Sequence, residues 1–562
     1  MEGKVMKSRK MLLFLIFVLM AITAKANFVF SATFTVEDID QFQPALNSAS
    51  NNGADDTIEV STGVYSLAAG LSYVSTENQS LTIRGAGMDT TILDGGGTFQ
   101  VLTLMTSQDN ASIRLENLTI RNGQTAGNGG ALLVATNAAD ITVVSCRIMN
   151  STATGGESVG GGANLNSESG TVTVQSSFVS GNTSRGNVGG LFVGTTSGEG
   201  ALVNSTFSGN SVTNTGSSDA FGDAGGAMFY SQATSSATIS GNTFSGNMAS
   251  GGDNPDGGGL MTYQLGGDSE LNLDSNSFSD NTAGLGGGGV IVRCNVSCRA
   301  SVTRNSFLRN TATIGSGGGA HLYINDGTLA YSTNVHTGNR AGEDGAGAWI
   351  DMIAGTATLS DNVFTENNAD NNGGGLSAVA DDASITVKKS IFDSNTSGNV
   401  GAGLSFATVN GTGIIQSNTL YGNIASGEAG GIYVYIDAGT GQATLTSNIL
   451  WNDAPDEFAY SSGGGGVSVV LQYSDIMNGT GEAWFGTGCI AADPLFVDAA
   501  GGNFNLTWAH EPTNDATKSP CIDTGDPTLP VDADGTRADM GALAFVQQKA
   551  GVIPAIALLL LL

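Results

Sequence analysis

The sequence predicts an all-β chain wound as a single-stranded parallel β-helix, a solenoid of about 13 coils with a cap at each end. Three observations predict it. A pair of small residues followed by an apolar one recurs with its second glycine at Gly130, Gly162, Gly190, Gly226, Gly259, Gly289, Gly319, Gly347, Gly375, Gly403 and Gly431, settling to a step of 28 residues. An asparagine, most often three residues after a phenylalanine, follows each glycine from Gly162 to Gly403 by 20 to 22 residues, from Asn182 to Asn423. The composition is that of a turn-rich folded chain, since 83 glycines without an every-third-residue period exclude collagen and only 12% charged residues argue against a solvated coil.

Taken from the N-terminus, Lys4, Lys7, Arg9 and Lys10 precede the apolar run Met11 to Ile22, and Ala24 and Ala26 are the small residues a signal peptidase reads. Residues 1–26 therefore read as a signal peptide and the protein as exported; an uncleaved anchor helix is the other reading, for which the run is short. Removing the segment leaves 15 basic against 49 acidic residues. So acidic a chain repels phosphate backbones and anionic membranes, which excludes nucleic acid as a partner.

Residues 27–114 form the N-terminal cap and first coils, with a short amphipathic helix expected over Pro44 to Ala49 and a strand over Thr57 to Val60. Residues 115–484 are the repeats. The position after each second glycine is apolar in every unit, as in Ala320, and so is the position two further on in nearly all, as in Leu322. A period of two means a β-strand. A second strand follows before each phenylalanine, and no stretch has helical periodicity. Such a unit cannot bury its own apolar face, so it stacks on its neighbours at about 4.8 Å. Phe207, Phe244, Phe278, Phe307, Phe364 and Phe392 then form a column in the core. The asparagines are expected at a turn, tolerating left-handed backbone and bonding to the asparagine of the next coil.

Export permits disulfides. Cys294 and Cys298 are placed to clip a local loop, Cys489 and Cys521 to close a second, and Cys146 reads as a small buried apolar residue.

The paired motifs, Gly129-Gly130-Ala131-Leu132 with Phe244 to Asn247 and Phe307 to Asn310, resemble the repeats of the polymorphic outer-membrane protein family, within the pectin-lyase-like superfamily. The resemblance covers roughly residues 115 to 452 and implies a right-handed β-helix. Residues 485–546 contain Asp493-Pro494-Leu495-Phe496, Asn503-Phe504-Asn505-Leu506, Ser519-Pro520-Cys521-Ile522-Asp523 and Asp534-Gly535-Thr536-Arg537, and are similar to the choice-of-anchor Q domain of exported bacterial surface proteins. That similarity implies a cell-surface, outer-membrane or secreted location and attachment to the envelope through the C-terminal region. This region is expected to close the far end of the solenoid. Its Asp532-Ala533-Asp534-Gly535 turn is either structural, with Arg537 pairing nearby carboxylates, or a cation site. Residues 547–562 read as an apolar sorting or anchoring tail.

Two features of the outer surface point to function. Along successive coils, the positions expected to face outward carry Tyr230, Tyr263, Arg293, His321, Tyr323, Trp349 and Asp351, with Tyr433 and Tyr435 further on and Met228, Met261 and Ile291 between. Rings presented in register suit a glycan or a surface protein, unless a loop covers the stripe and makes it core. The corners before Gly162, Gly226 and Gly259 are enlarged and hold Glu157, Asp219, Asp223, Asp253 and Asp256, readable as Ca²⁺ ligands or as a solvated acidic loop. The reading is thus an exported surface rod acting in adhesion, ligand binding or envelope architecture, with no catalytic residue assigned. The superfamily resemblance implies the alternative, a Ca²⁺-dependent polysaccharide lyase or a glycoside hydrolase, for which Arg293, His321 and Asp351 are the residues to inspect.

Overall fold

In a computed structural model, the chain winds as a right-handed parallel β-helix; the structure describes residues 31–214, 223–251, 255–437, 439–464 and 468–547. The expected signal peptide, Asp219, Asp253 and nearly all of the apolar tail lie outside the described residues. No described helix is long and apolar enough to cross a membrane.

Among the described residues the coils build three parallel sheets, the third missing from the first and last coils. The first has 26 strands because it takes two runs per coil, such as Leu404–Thr408 and Thr412–Gln416, which fuse in mid-molecule into single strands such as Ala320–Ser332 and Ala348–Ser360. The second has 15 strands, two more than the 13 coils expected, because the earliest coils lack the glycine landmark. The third, with 11 strands, is built largely from two-residue bridges such as Thr311–Ala312. Like residues fall in register, so Leu322 pairs with Val292 before it and Ile350 after it.

The phenylalanine column is continuous. Centroids from Phe207 to Phe244, Phe278 and Phe307 are 4.8, 4.9 and 5.0 Å apart, and Phe364 to Phe392 is 4.9 Å. The missing rung is His336, stacked 4.5 Å from Phe307 and 4.7 Å from Phe364, with Tyr331 Oη 2.6 Å from its Nε2.

Beside it runs an asparagine ladder. Asn310 Oδ1 accepts from the backbone N–H of Asn281 at 3.1 Å and from its Nδ2 at 2.9 Å, and Asn310 repeats both bonds with Asn339. The spare Nδ2 proton goes to a carbonyl of the preceding coil, as from Asn310 to Phe278 O. The left-handed residue is not the asparagine but the one before it: Asp280, Arg309, Gly338, Glu366 and Ser394 have positive φ. A second ladder, unforeseen in the sequence, runs at the preceding corner through Asn242, Asn276, Asn305, Asn334 and Asn362. Two columns of buried amides thus satisfy the corner backbone that a sheet cannot.

The N-terminal helix spans Ile39–Ala49 and places Phe42, Ala45, Leu46 and Ala49 over the first coil. It begins five residues before the expected Pro44, because Asp38 caps it by accepting from Gln41 N at 3.1 Å. At the far end, Ile476, Trp484 and Phe485 close the core, with Trp484 edge-on to Phe458 at 5.2 Å. Of residues 485–546, Phe485 and Cys489 pack against this end, while Leu506, Cys521, Ile522 and Met540 lie along the outer face of the second sheet on Ile449 and Trp451. Ala542 N donates to Thr419 Oγ1 at 3.0 Å and Gly541 N to Ser447 O at 2.7 Å.

Cys294 and Cys298 form a disulfide within one strand of the first sheet. Cys489 and Cys521, expected as a second pair, are both free; Cys521 donates to Asp475 Oδ2 at 3.1 Å. Cys146 is buried and free.

Candidate functional site

The first run of the first sheet presents two outward columns. One reads Phe192, Met228, Met261, Ile291, His321 and Trp349, then Ser377, Ser405 and Tyr433. The other reads Gly194, Tyr230, Tyr263, Arg293, Tyr323 and Asp351, then Val379, Ala407 and Tyr435.

The first column is largely not surface, which corrects the sequence reading. Met228, Met261 and Ile291 are fully buried in a second apolar cluster with Val188 and Ala224, and His321 is buried as well. The corner segments fold back over the sheet to do this: Val159, Val188 and Ala224 pair as parallel bridges. Gly257, at φ +65°, sits where a side chain would meet Met261 and Ile291. Unbroken apolar runs such as Val290-Ile291-Val292 are the signature of a strand covered on both faces.

Of the acidic corner residues, Asp256 is not solvated, and its partner in the structure is Arg293. It is 2% exposed and ion-paired to Arg293, and burial raises its pKa although Arg293 opposes the shift. Asp223 is buried too, and Glu157 is exposed. Among the described residues, no group of three or more His, Cys, Asp or Glu side chains is arranged to hold a metal. The Asp532–Gly535 turn is held internally: Asp534 accepts from Thr536 N at 2.9 Å and Gln547 N at 2.8 Å, and Asp532 from Asp539 N at 2.8 Å. Arg537 donates to the Thr524 and Gly525 carbonyls rather than to carboxylates.

Arg293, His321 and Asp351 occupy three adjacent coils, as their spacing required, but they do not form a reacting set. Arg293 and Asp351 share a column with Tyr323 between them, while His321 stands in the other. Burial, and secondarily Arg293, lowers His321 to about 3; its ring packs 4.3 Å from Trp349. Burial, with the charge of Asp381, lifts Asp351 to about 6. The Nδ1 of His321 is buried without a partner, and burial keeps the ring neutral at ordinary pH.

What remains accessible is the second column with the ends of the first. Phe192, Tyr230 and Tyr263 stack in succession at 6.3 and 5.9 Å. Asn295 Nδ2 donates to Tyr263 Oη at 3.0 Å. Tyr433 and Tyr435 form a separate patch, the former 2.7 Å from Ser461 Oγ and the latter 3.3 Å from Asp437 Oδ1. Small residues in register beside each patch make recesses. One, of about 500 Å³, lies N-terminal to the stack over Ala135, Asn166 and Gly194 and ends on Phe192 and Tyr230. Another, of about 480 Å³, lies over Ser377, Val379, Ser405 and Ala407 and ends on Tyr433 and Tyr435. Glu168 lines the first, and Asp344 and Glu428 line the second; neither contains a basic side chain. The sequence signal for both was the loss of bulky residues from the columns.

No protein-family model matches the chain, and no curated protein matches it either. Among solved structures, it is similar to the pectate lyase Pel9A at 12% identity and a TM-score of 0.21, covering 92% of this chain and 97% of that one. It is similar to the PL6 family alginate lyase AlyGC at 11% identity and a TM-score of 0.24, covering 80% and 85%. The β-helix assignment stands on the chain's own strand register.

Proposed function

We propose that this protein is an exported surface rod that binds an extracellular glycan, or a surface protein, without transforming it. The observation that carries the reading is the ridge of stacked rings, Phe192, Tyr230 and Tyr263, beside a recess lined by Thr106, Thr136, Asn137, Asn166 and Thr195. Aromatic faces with hydroxyl and amide neighbours suit an uncharged sugar chain, and the absence of a basic side chain from both recesses disfavours a uronic-acid polymer. Export rests on the N-terminal segment, and envelope attachment on the resemblance of residues 485–546 to choice-of-anchor domains and of the repeats to polymorphic outer-membrane proteins. The lyase or hydrolase alternative gains little from Arg293, His321 and Asp351, since His321 stands in a different column from the other two and Arg293 is paired with Asp256.

Glycan and surface-protein arrays probed with the mature chain, with and without Ca²⁺, test the proposal. Retention that falls at least tenfold in Tyr230→Ala with Tyr263→Ala, with ligand recovered intact, is the expected result. Retention unchanged by that double substitution, or new unsaturated ends in a uronic-acid polymer, would overturn it.

A further inference from the structure

The asparagine ladder ends on acids. Asn423 donates its backbone N–H and its Nδ2 to Asp453 Oδ1 at 2.7 and 2.8 Å, so Asp453 stands where the next asparagine belongs. The Asp453 N–H in turn reaches both carboxyl oxygens of Glu457, at 3.2 and 3.3 Å, which takes the rung after that. Both acids are 6% exposed.

Every earlier rung uses its second polar atom as a donor: Asn395 Nδ2 reaches Phe364 O, and Asn423 Nδ2 reaches Phe392 O. Register continues this series to Leu420, the partner of Phe392 in the next coil. Asp453 therefore brings an oxygen to a position where its predecessors bring an N–H. That oxygen, Oδ2, is buried and has no partner. As an ionised acceptor beside an acceptor it would be strongly unfavourable, whereas a protonated carboxyl copies the asparagine amide.

We propose that Asp453 and Glu457 are both protonated in the folded chain at mildly acidic pH and form an uncharged plug on the C-terminal end of the ladder, which loosens as the first of those protons is lost on passing through neutral pH. The groups facing the pair add no compensating charge. The cleft of about 280 Å³ beside it is lined by Asp456, Glu482, Asn478 and Trp484, and Asp393 adds a further negative charge. Desolvation raises both acids above the ordinary carboxyl range, and for Glu457 the neighbouring Asp453 adds to it. The sign follows: the folded state holds protons that the unfolded chain releases, so this contribution is complete below about pH 4 and declines as pH rises through the raised values. Trp484, which closes the core against Phe458, shares the cleft, so the end closure loosens with the plug.

The test is hydrogen exchange on the full chain at pH 5 and pH 8, read as protection factors over residues 449–458 in wild type and in Asp453→Asn. The expected result is equal protection at pH 5 and, at pH 8, a wild-type loss of roughly tenfold or more that the variant does not share. A variant less protected than wild type at pH 8, or a difference identical at both pH values, would overturn the proposal. Should Asp453→Asn not fold, Glu457→Gln is read the same way.

Discussion

His336 occupies a phenylalanine slot and is the clearest case in this molecule of one side chain setting a response. Wedged between Phe307 and Phe364, it is held neutral, its pKa pushed down to about 3 by burial. His321 is also lowered to about 3. Both gain protons on unfolding in the window below about 6.5, so the stability they contribute is present above that value and is lost as pH falls toward 3. At the acid end the loss is at most about 5 kcal/mol per histidine. Replacing His336 with Phe and Tyr331 with Phe completes the column and removes the hydroxyl that would otherwise lose its partner. Urea titrations from pH 7 to 4 should show a shallower decline in unfolding free energy for the double variant; an unchanged slope would remove His336 as a source of acid sensitivity. The slot was legible, since His336 lies three residues before Asn339 as each phenylalanine does before its asparagine. The second ladder was not foreseen, although the Asn-x-Phe-x-x-Asn spacing of Asn305, Phe307 and Asn310 carries its signal. What the residue pattern did not carry was which residue of a corner takes the left-handed backbone, because it falls on Arg309 and Glu366, residue types that rarely adopt it.

At the scale of the element, alternation along a strand was read correctly and its consequence was not. Leu260 and Thr262 face the core as predicted, but Met261 faces a loop rather than water. Strand periodicity reports which side chains share a face; whether that face is covered depends on segments whose path has no period. The enlarged corners were found as insertions of constant position, and their role as covers was visible only in the apolar residues beneath them. This difference predicts that Met261→Glu lowers stability by about 3 kcal/mol or more, while Tyr263→Glu, two residues on and partly exposed, costs under about 1 kcal/mol. Chemical unfolding of the two variants decides it. Equal costs would mean that the corner does not seal the column.

Over the whole molecule, one winding rule accounts for the sheets, the ladders and both recesses. The repeat was legible because each coil copies the last, and the early coils were undercounted because they lack the landmark. The C-terminal region resisted prediction for a related reason. Its contacts, such as Cys521 with Asp475 and Asp526 N with Ser447 Oγ, are single events between distant segments, and nothing in a sequence period announces them. It braces the side of the rod and shares end closure with Trp484 through Phe485. The stacked rings and recesses depend on that winding too, since Gly194 makes room only if it falls between Asn166 and Tyr230.

Register is therefore the quantity to measure. Thr337 and Thr365 lie on the second sheet as direct partners in adjacent parallel strands, and Thr337 and Asp393 lie two coils apart. With cysteine at Thr337 and Thr365, mild oxidation and peptide mapping should show near-complete cross-linking, since adjacent strands about 4.8 Å apart are within disulfide reach. Cysteines at Thr337 and Asp393, about twice as far apart, should remain free. Cross-linking of the second pair in preference to the first would contradict the winding and the binding surface built on it.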